Sequence, residues 1–163
     1  MTAIADKESS TFLPISFDFS DAIGGSAAST RSSYYGVSGT PSIYIDGTST
    51  STSGLTSAIN SASAAGASVS ITGSVSSGVS GTVQNTTGSG LSNLTVIAFA
   101  YSPGQSGGYA VNTVKAIVGS ASISSVGAGA SENYNISGTV GSYKVVVAVF
   151  DSSKKCLNAK IVN

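Results

Sequence analysis

The chain has 163 residues, 40% of them hydrophobic, which is enough to bury a core in one or two small domains and excludes disorder as the starting assumption. Seven basic and seven acidic residues cancel and are scattered along the sequence, so no electrostatic footprint for nucleic acid or an anionic membrane surface is present. Histidine is absent, and with it the usual general base near neutral pH, most hydrolytic triads and most zinc sites.

In chain order, the run TFLPISFDFS (Thr11 to Ser20) puts Leu13, Ile15, Phe17 and Phe19 on one face of a period-two strand, with Pro14 suited to an edge. Residues 22–30 are small and polar, and RSSYYGV (Arg31 to Val37) predicts a short helix stopped at Gly36. Ile43 and Ile45 then alternate with Tyr44, and Asp46-Gly47 has the chemistry of a tight hairpin turn into a second, polar strand. Leu55, Ala58, Ile59 and Ala62 recur at helical spacing, with Ser53 as the expected N-cap and Gly66 as the expected stop.

Beyond Gly66 the pattern turns to short alternating runs between polar turns. Val69, Ile71, Gly73 and Val75 alternate, residues 82–84 lead into a turn cluster at 85–90, and Leu94 to Tyr101 is apolar on both faces, as a central strand is. Gly104 to Gly108 reads as a loop, since no Gly-Lys-Ser/Thr follows to make a phosphate cradle. Strands are then expected at 111–118, at 123–126 and around Tyr134 and Ile136. YKVVVAVF and CLNAKIV form a closing hairpin about a turn at 151–154. About seven strands in about a hundred residues is the pattern of a β-sandwich. The chain therefore divides near 65–68, into an α/β part (1–66) and an all-β part (67–163).

Few residues offer chemistry. Cys156 is the single cysteine and reads as a small half-buried apolar side chain. Asp18 and Asp21 are close enough to share a cation but too few for a Ca²⁺ site, and Asp46 and Asp151 belong to turns, so no metal site or cofactor is expected. Asn85, Asn93 and Asn135 each open an Asn-x-Ser/Thr sequon at a turn or strand margin, the expected N-glycosylation positions. The seven tyrosines are assigned mainly to core and strand pairing. No apolar run reaches the about 20 residues of a spanning helix. The first residues lack an apolar signal core, so an export signal, if used, is expected upstream or removed.

The stretch YYGVSGTPSIYIDG (Tyr34 to Gly47) resembles the second half of a thioredoxin fold, in which a helix leads through a cis-proline into a hairpin and a last helix. The resemblance implies that Thr40 and Pro41 form the cis-proline loop. With NLTVIAFAY and the closing hairpin, the whole chain is similar to secreted or outer-membrane lipoproteins that join a thioredoxin-like half to an immunoglobulin-like sandwich. It departs from that family before Thr11. Neither a central strand nor a Cys-x-x-Cys helix is expected there, so only the tail of such a helix fits 1–10, and a sheet slot is left open between the Leu13 strand and the Ile43 strand. An open slot exposes unpaired backbone, with three outcomes expected as alternatives: direct pairing of the two remaining strands, insertion of a strand from another chain, or a missing strand encoded upstream. The expectation is a mainly β, non-catalytic, extracellular or cell-surface structural or adhesive protein, self-associating by strand donation or binding another surface protein. Two alternatives stand beside it: the C-terminal part of a thiol-disulfide oxidoreductase, and a carbohydrate-binding sandwich that would need exposed aromatic rings.

Overall fold

The computed structural model of the chain describes residues 2–6, 11–17, 23–39, 42–106 and 109–163. In these residues the strands are β1 (Thr2–Asp6), β2 (Thr11–Ser16), β3 (Ile43–Ile45), β4 (Thr48–Thr50), β5 (Val69–Val75), β6 (Gly78–Asn85), β7 (Leu91–Ser106), β8 (Tyr109–Val126), β9 (Ser131–Ser137), β10 (Lys144–Phe150) and β11 (Cys156–Val162). Helix α1 (Gly25–Tyr35) lies between β2 and β3, and α2 (Leu55–Ala64) between β4 and β5. The fold is mainly β, with helices confined to the first 66 residues.

Eight strands form a large sheet in the order β11-β10-β7-β8-β2-β1-β3-β4, and three form a small one, β5-β6-β9. The strands on both sides of residue 66 share the large sheet, because β2 pairs in parallel with β8 through Ile15↔Asn112 and Ser16↔Thr113. Alternation then sorts the side chains. From β7 and β10, Leu94, Val96, Ala98, Val145, Val147 and Val149 point toward the small sheet and pack on its Val69, Ile71, Val79, Val83 and Ile136. Their neighbours Ile97, Phe99, Tyr101, Val146, Ala148 and Phe150 point the other way and cluster with Ala27 of α1, Ile15 and Cys156. The stretch that is apolar on both faces is thus covered on both faces, and β7 lies inside the sheet between β10 and β8.

Side-chain and backbone ties join the layers. Asn158, fully buried on β11, donates from Nδ2 to Val69 O (2.8 Å) while its Oδ1 accepts from Ala159 N (2.9 Å). Val75 N at the end of β5 donates to Asn163 O (3.1 Å). The hairpin β3–β4 turns at Asp46 (φ 49°) and Gly47 (φ 86°), the two positive angles of a type I′ turn. That turn docks on the β10–β11 turn, where Cys156 N donates to Asp46 O (3.2 Å) and Lys154 O fills the space a Cβ on Gly47 would need. β3–β4 and β11 lie at opposite ends of the large sheet, so this contact brings its two ends together.

Several expectations are corrected. Residues 2–6 are a strand and not the tail of a helix: β1 pairs antiparallel with β2 and parallel with β3, filling the slot expected to be open. Helix α1 starts at Gly25, six residues ahead of Arg31. The Ser/Thr-rich sequence hides it, but Ser29 and Thr30 return their hydroxyls to the carbonyls of Gly25 and Ser26, and Ala27 and Ala28 are small enough to bury against the sheet. Its end is as expected, with Gly36 at φ 67° and Val37 N bonded to Ser32 O. Gly54, not Ser53, caps α2, and its N–H donates to the Ser51 hydroxyl (3.2 Å). The segments 111–118 and 123–126 are one strand, β8, kept in register with β7 by two bulges. Gly104 lies within β7 and not in a loop. Pro14 sits inside the sheet order, but it precedes the two positions of β2 that pair with β8, so no ladder bond is lost to that neighbour.

Candidate functional site

Two places carry most of the unusual side-chain chemistry. The first is built on the last turn of α1, where Arg31, Tyr34 and Tyr35 stand at i, i+3 and i+4 and share one helix face. The guanidinium carbon of Arg31 lies 4.2 Å from the Tyr34 ring centre, 4.7 Å from Tyr35, 4.8 Å from Phe150 of β10 and 5.3 Å from Phe99 of β7. Tyr44 of β3 stacks on Tyr35 at 4.4 Å, and Lys154 Nζ sits over the Tyr34 ring, 5.1 Å from its centre. Arg31 is 3% exposed. Its Nη2 donates to Tyr35 Oη (2.8 Å), while its Nε is buried with no partner.

Taking a guanidinium out of water costs several kcal/mol unless it is paired. Each desolvated ring face returns about 1–2 kcal/mol, and the bond to the Tyr35 phenol about 1.5–3 kcal/mol. These offset much of the cost but leave the Nε–H unmet. Burial pushes Tyr35 up to about 12, against the pull of Arg31, so its phenol stays protonated beside the cation. Burial raises Tyr34 as well, and the charge of Arg31 again opposes the shift.

The second place is the outer face of the small sheet. Ser70, Gln84 and Ser131 form one cross-strand row, Thr72, Thr82 and Asn133 the next, and Ser74, Ser80 and Asn135 the third. All nine are exposed or half-buried, and none carries a charge or a ring. Thr72 and Thr82 join their hydroxyls at 2.8 Å. With strands about 4.8 Å apart and same-face residues about 6.8 Å apart, the grid covers roughly 300 Å².

The positions singled out in the sequence fall apart in space. Thr40 and Pro41, and with them Asp18 and Asp21, lie outside the described residues. Asn85 is fully buried: its Nδ2 donates to Ser89 O (2.7 Å), Gly127 O (3.1 Å) and Val126 O (3.2 Å), and its Oδ1 accepts from Thr87 N (2.9 Å) and Thr87 Oγ1 (2.7 Å). A glycan on that Nδ2 has no space in this fold, whereas Asn93 and Asn135 are exposed. Cys156 is 1% exposed and its thiol donates to Asn158 O (3.5 Å), so it is more deeply buried than half. Tyr134 is buried, with its hydroxyl donating to Thr72 O (2.9 Å), and no aromatic side chain among the described residues is fully exposed. No group of three or more His, Cys, Asp or Glu side chains that could hold a metal occurs among the described residues, and no helix among them is long and apolar enough to cross a membrane. Arg31 was not singled out in the sequence. The RSSYY spacing placed it with two tyrosines on one helical face, but its burial depends on β3, β7 and β10 meeting there. Comparison with protein-family models, with curated proteins and with solved structures gives no match.

Proposed function

We propose that the chain is a non-catalytic structural or adhesive protein of the cell exterior, which contacts copies of itself through the neutral grid of the small sheet. The observation that carries this reading is the grid: nine outward hydroxyl and amide side chains on a regular two-layer scaffold, without charge. In this reading residues 67–163 are an immunoglobulin-like sandwich. The thioredoxin-like resemblance reduces to β3, its turn, β4 and α2, because only residues 7–10 separate β1 from β2, too few for the helix that family places after its central strand. Contact by strand donation loses its basis, since β1 occupies the slot, and a face contact takes its place. Carbohydrate binding on an aromatic platform and thiol exchange at the buried Cys156 find no support in the described residues.

A patch of roughly 300 Å² is well below the about 800 Å² per partner of a stable interface, so the contact is weak and needs a high concentration to form. Sedimentation across a wide concentration range tests this. The wild-type mass is expected to rise reversibly with concentration, and Thr82→Arg or Asn133→Arg, which place a like charge on both facing grids, are expected to stay single chains with an unchanged thermal midpoint. A wild-type chain that remains single at every concentration removes self-association through this face.

A further inference from the structure

From the Arg31 cluster we infer a second binding site, for a carboxylate with a flat apolar body. Arg31 is the chain's only arginine. It is buried at 3% exposure among Tyr34, Tyr35, Phe99 and Phe150, and its Nε is buried without a hydrogen-bond partner. The edge of a guanidinium formed by Nε and Nη2 matches the two oxygens of a carboxylate. Here Nη2 donates to Tyr35 Oη and Nε has no acceptor, so one half of that fork is unfilled. Asp151, whose charge reaches the Tyr34 ring, is engaged within its own turn, where its Oδ1 accepts from Ser153 N, Ser153 Oγ and Lys155 N.

The surroundings select the ligand. One guanidinium matches one negative charge, and the ring-lined walls favour a planar apolar body over a fully hydrated dianion. The phenol of Tyr35 can donate its proton to one carboxylate oxygen while Nε and Nη2 serve the pair. Tyr34, Tyr35 and Tyr44 are each half-buried, so the cation lies one ring deep and entry requires one of these rings to swing aside.

Benzoate is the probe. Arginine Nε–H gives a single ¹⁵N-correlated signal here, since there is one arginine, and it reports the site without any substitution. Titrating sodium benzoate against sodium chloride at matched ionic strength is expected to shift that signal saturably and to raise the thermal midpoint by about 3 °C at saturation. Arg31→Lys, which keeps the charge but loses the fork, is expected to weaken the response at least tenfold, and Arg31→Met to abolish it. The inference is overturned if the wild-type signal shows no saturable shift, if Arg31→Met responds as the wild type does, or if inorganic phosphate gives the same response as benzoate. It is equally overturned if Asp18→Asn or Asp21→Asn moves the Nε–H signal as far as benzoate does, because the chain would then supply its own carboxylate. Should Arg31→Met fail to fold, the wild-type titration and the two aspartate variants still decide.

Discussion

Asn85 ends β6 under the 86–90 turn, and its amide joins that turn to the start of the 127–130 turn, its two N–H groups shared among three carbonyls and its oxygen accepting two bonds. Removing a buried side chain of this kind leaves carbonyls without donors, at about 1–3 kcal/mol for each group stranded. Asn85→Ala is expected to cost about 3 kcal/mol in urea denaturation, and Asn93→Ala and Asn135→Ala at exposed positions less than about 0.5 kcal/mol. Mass spectrometry of material from a glycosylating host is accordingly expected to find Asn85 unmodified. Tyr134 works in a different way. Its ring lies over Gly73 and Gly81, which face one another across β5 and β6, and a Cβ on Gly81 would sit 2.7 Å from the phenol oxygen. Burial pushes Tyr134 up to about 12. A tyrosine raised in the folded state contributes stability in full below its unfolded value near 10, and that contribution is lost as pH climbs through about 12. Tyr35 shifts the same way, so stability is expected to be level up to about pH 10 and to fall between 10 and 12. In Tyr134→Phe the fall is expected to be shallower, as read by denaturant midpoints across that range.

At the scale of elements, the glycine pair explains why β5 and β6 tolerate residues that weaken a strand: they make room for an aromatic ring from β9. Gly81→Ala is expected to destabilise by about 2–4 kcal/mol, because the new Cβ meets Thr72 O and Gly73 Cα on the neighbouring strand. The elements that were legible in the sequence are those whose side chains alone carry the signal. Leu94 to Tyr101 and Lys144 to Phe150 are apolar on both faces and lie inside the sheet, and Asp46-Gly47 announces its own turn. Gly36 and Gly66 stop their helices at φ 67°. The elements that were not legible depend on partners. TAIAD in β1 is too short to announce itself and is read as a strand from its pairing with β2 on one side and β3 on the other, and α1 is supported by two alanines buried against the sheet, while its hydroxyls are satisfied by the i−4 carbonyls. The same division holds for sites: a sequon names an asparagine without saying whether its amide is already engaged, and RSSYY names a helical face without saying what closes over it.

At the scale of the molecule, the arrangement limits how one copy can meet another. The small sheet is tied to β11 at Val75 and Asn158, the β3–β4 and β10–β11 turns close the ends of the large sheet, and β4, the strand at its far end, has three residues. Short and tied edges disfavour pairing with a neighbour's strand. The molecule also presents the outer face of β5, β6 and β9, and in the proposed function association uses this face while every strand stays with its own chain. Backbone amide shifts and exchange rates, recorded at low and at high protein concentration, test it directly. The account predicts shift changes gathered on Thr72, Thr82, Asn133 and their rows, with β1 to β3 amides unmoved and equally protected at both concentrations. Changes gathered on β1 to β3, with protection there depending on concentration, would contradict it.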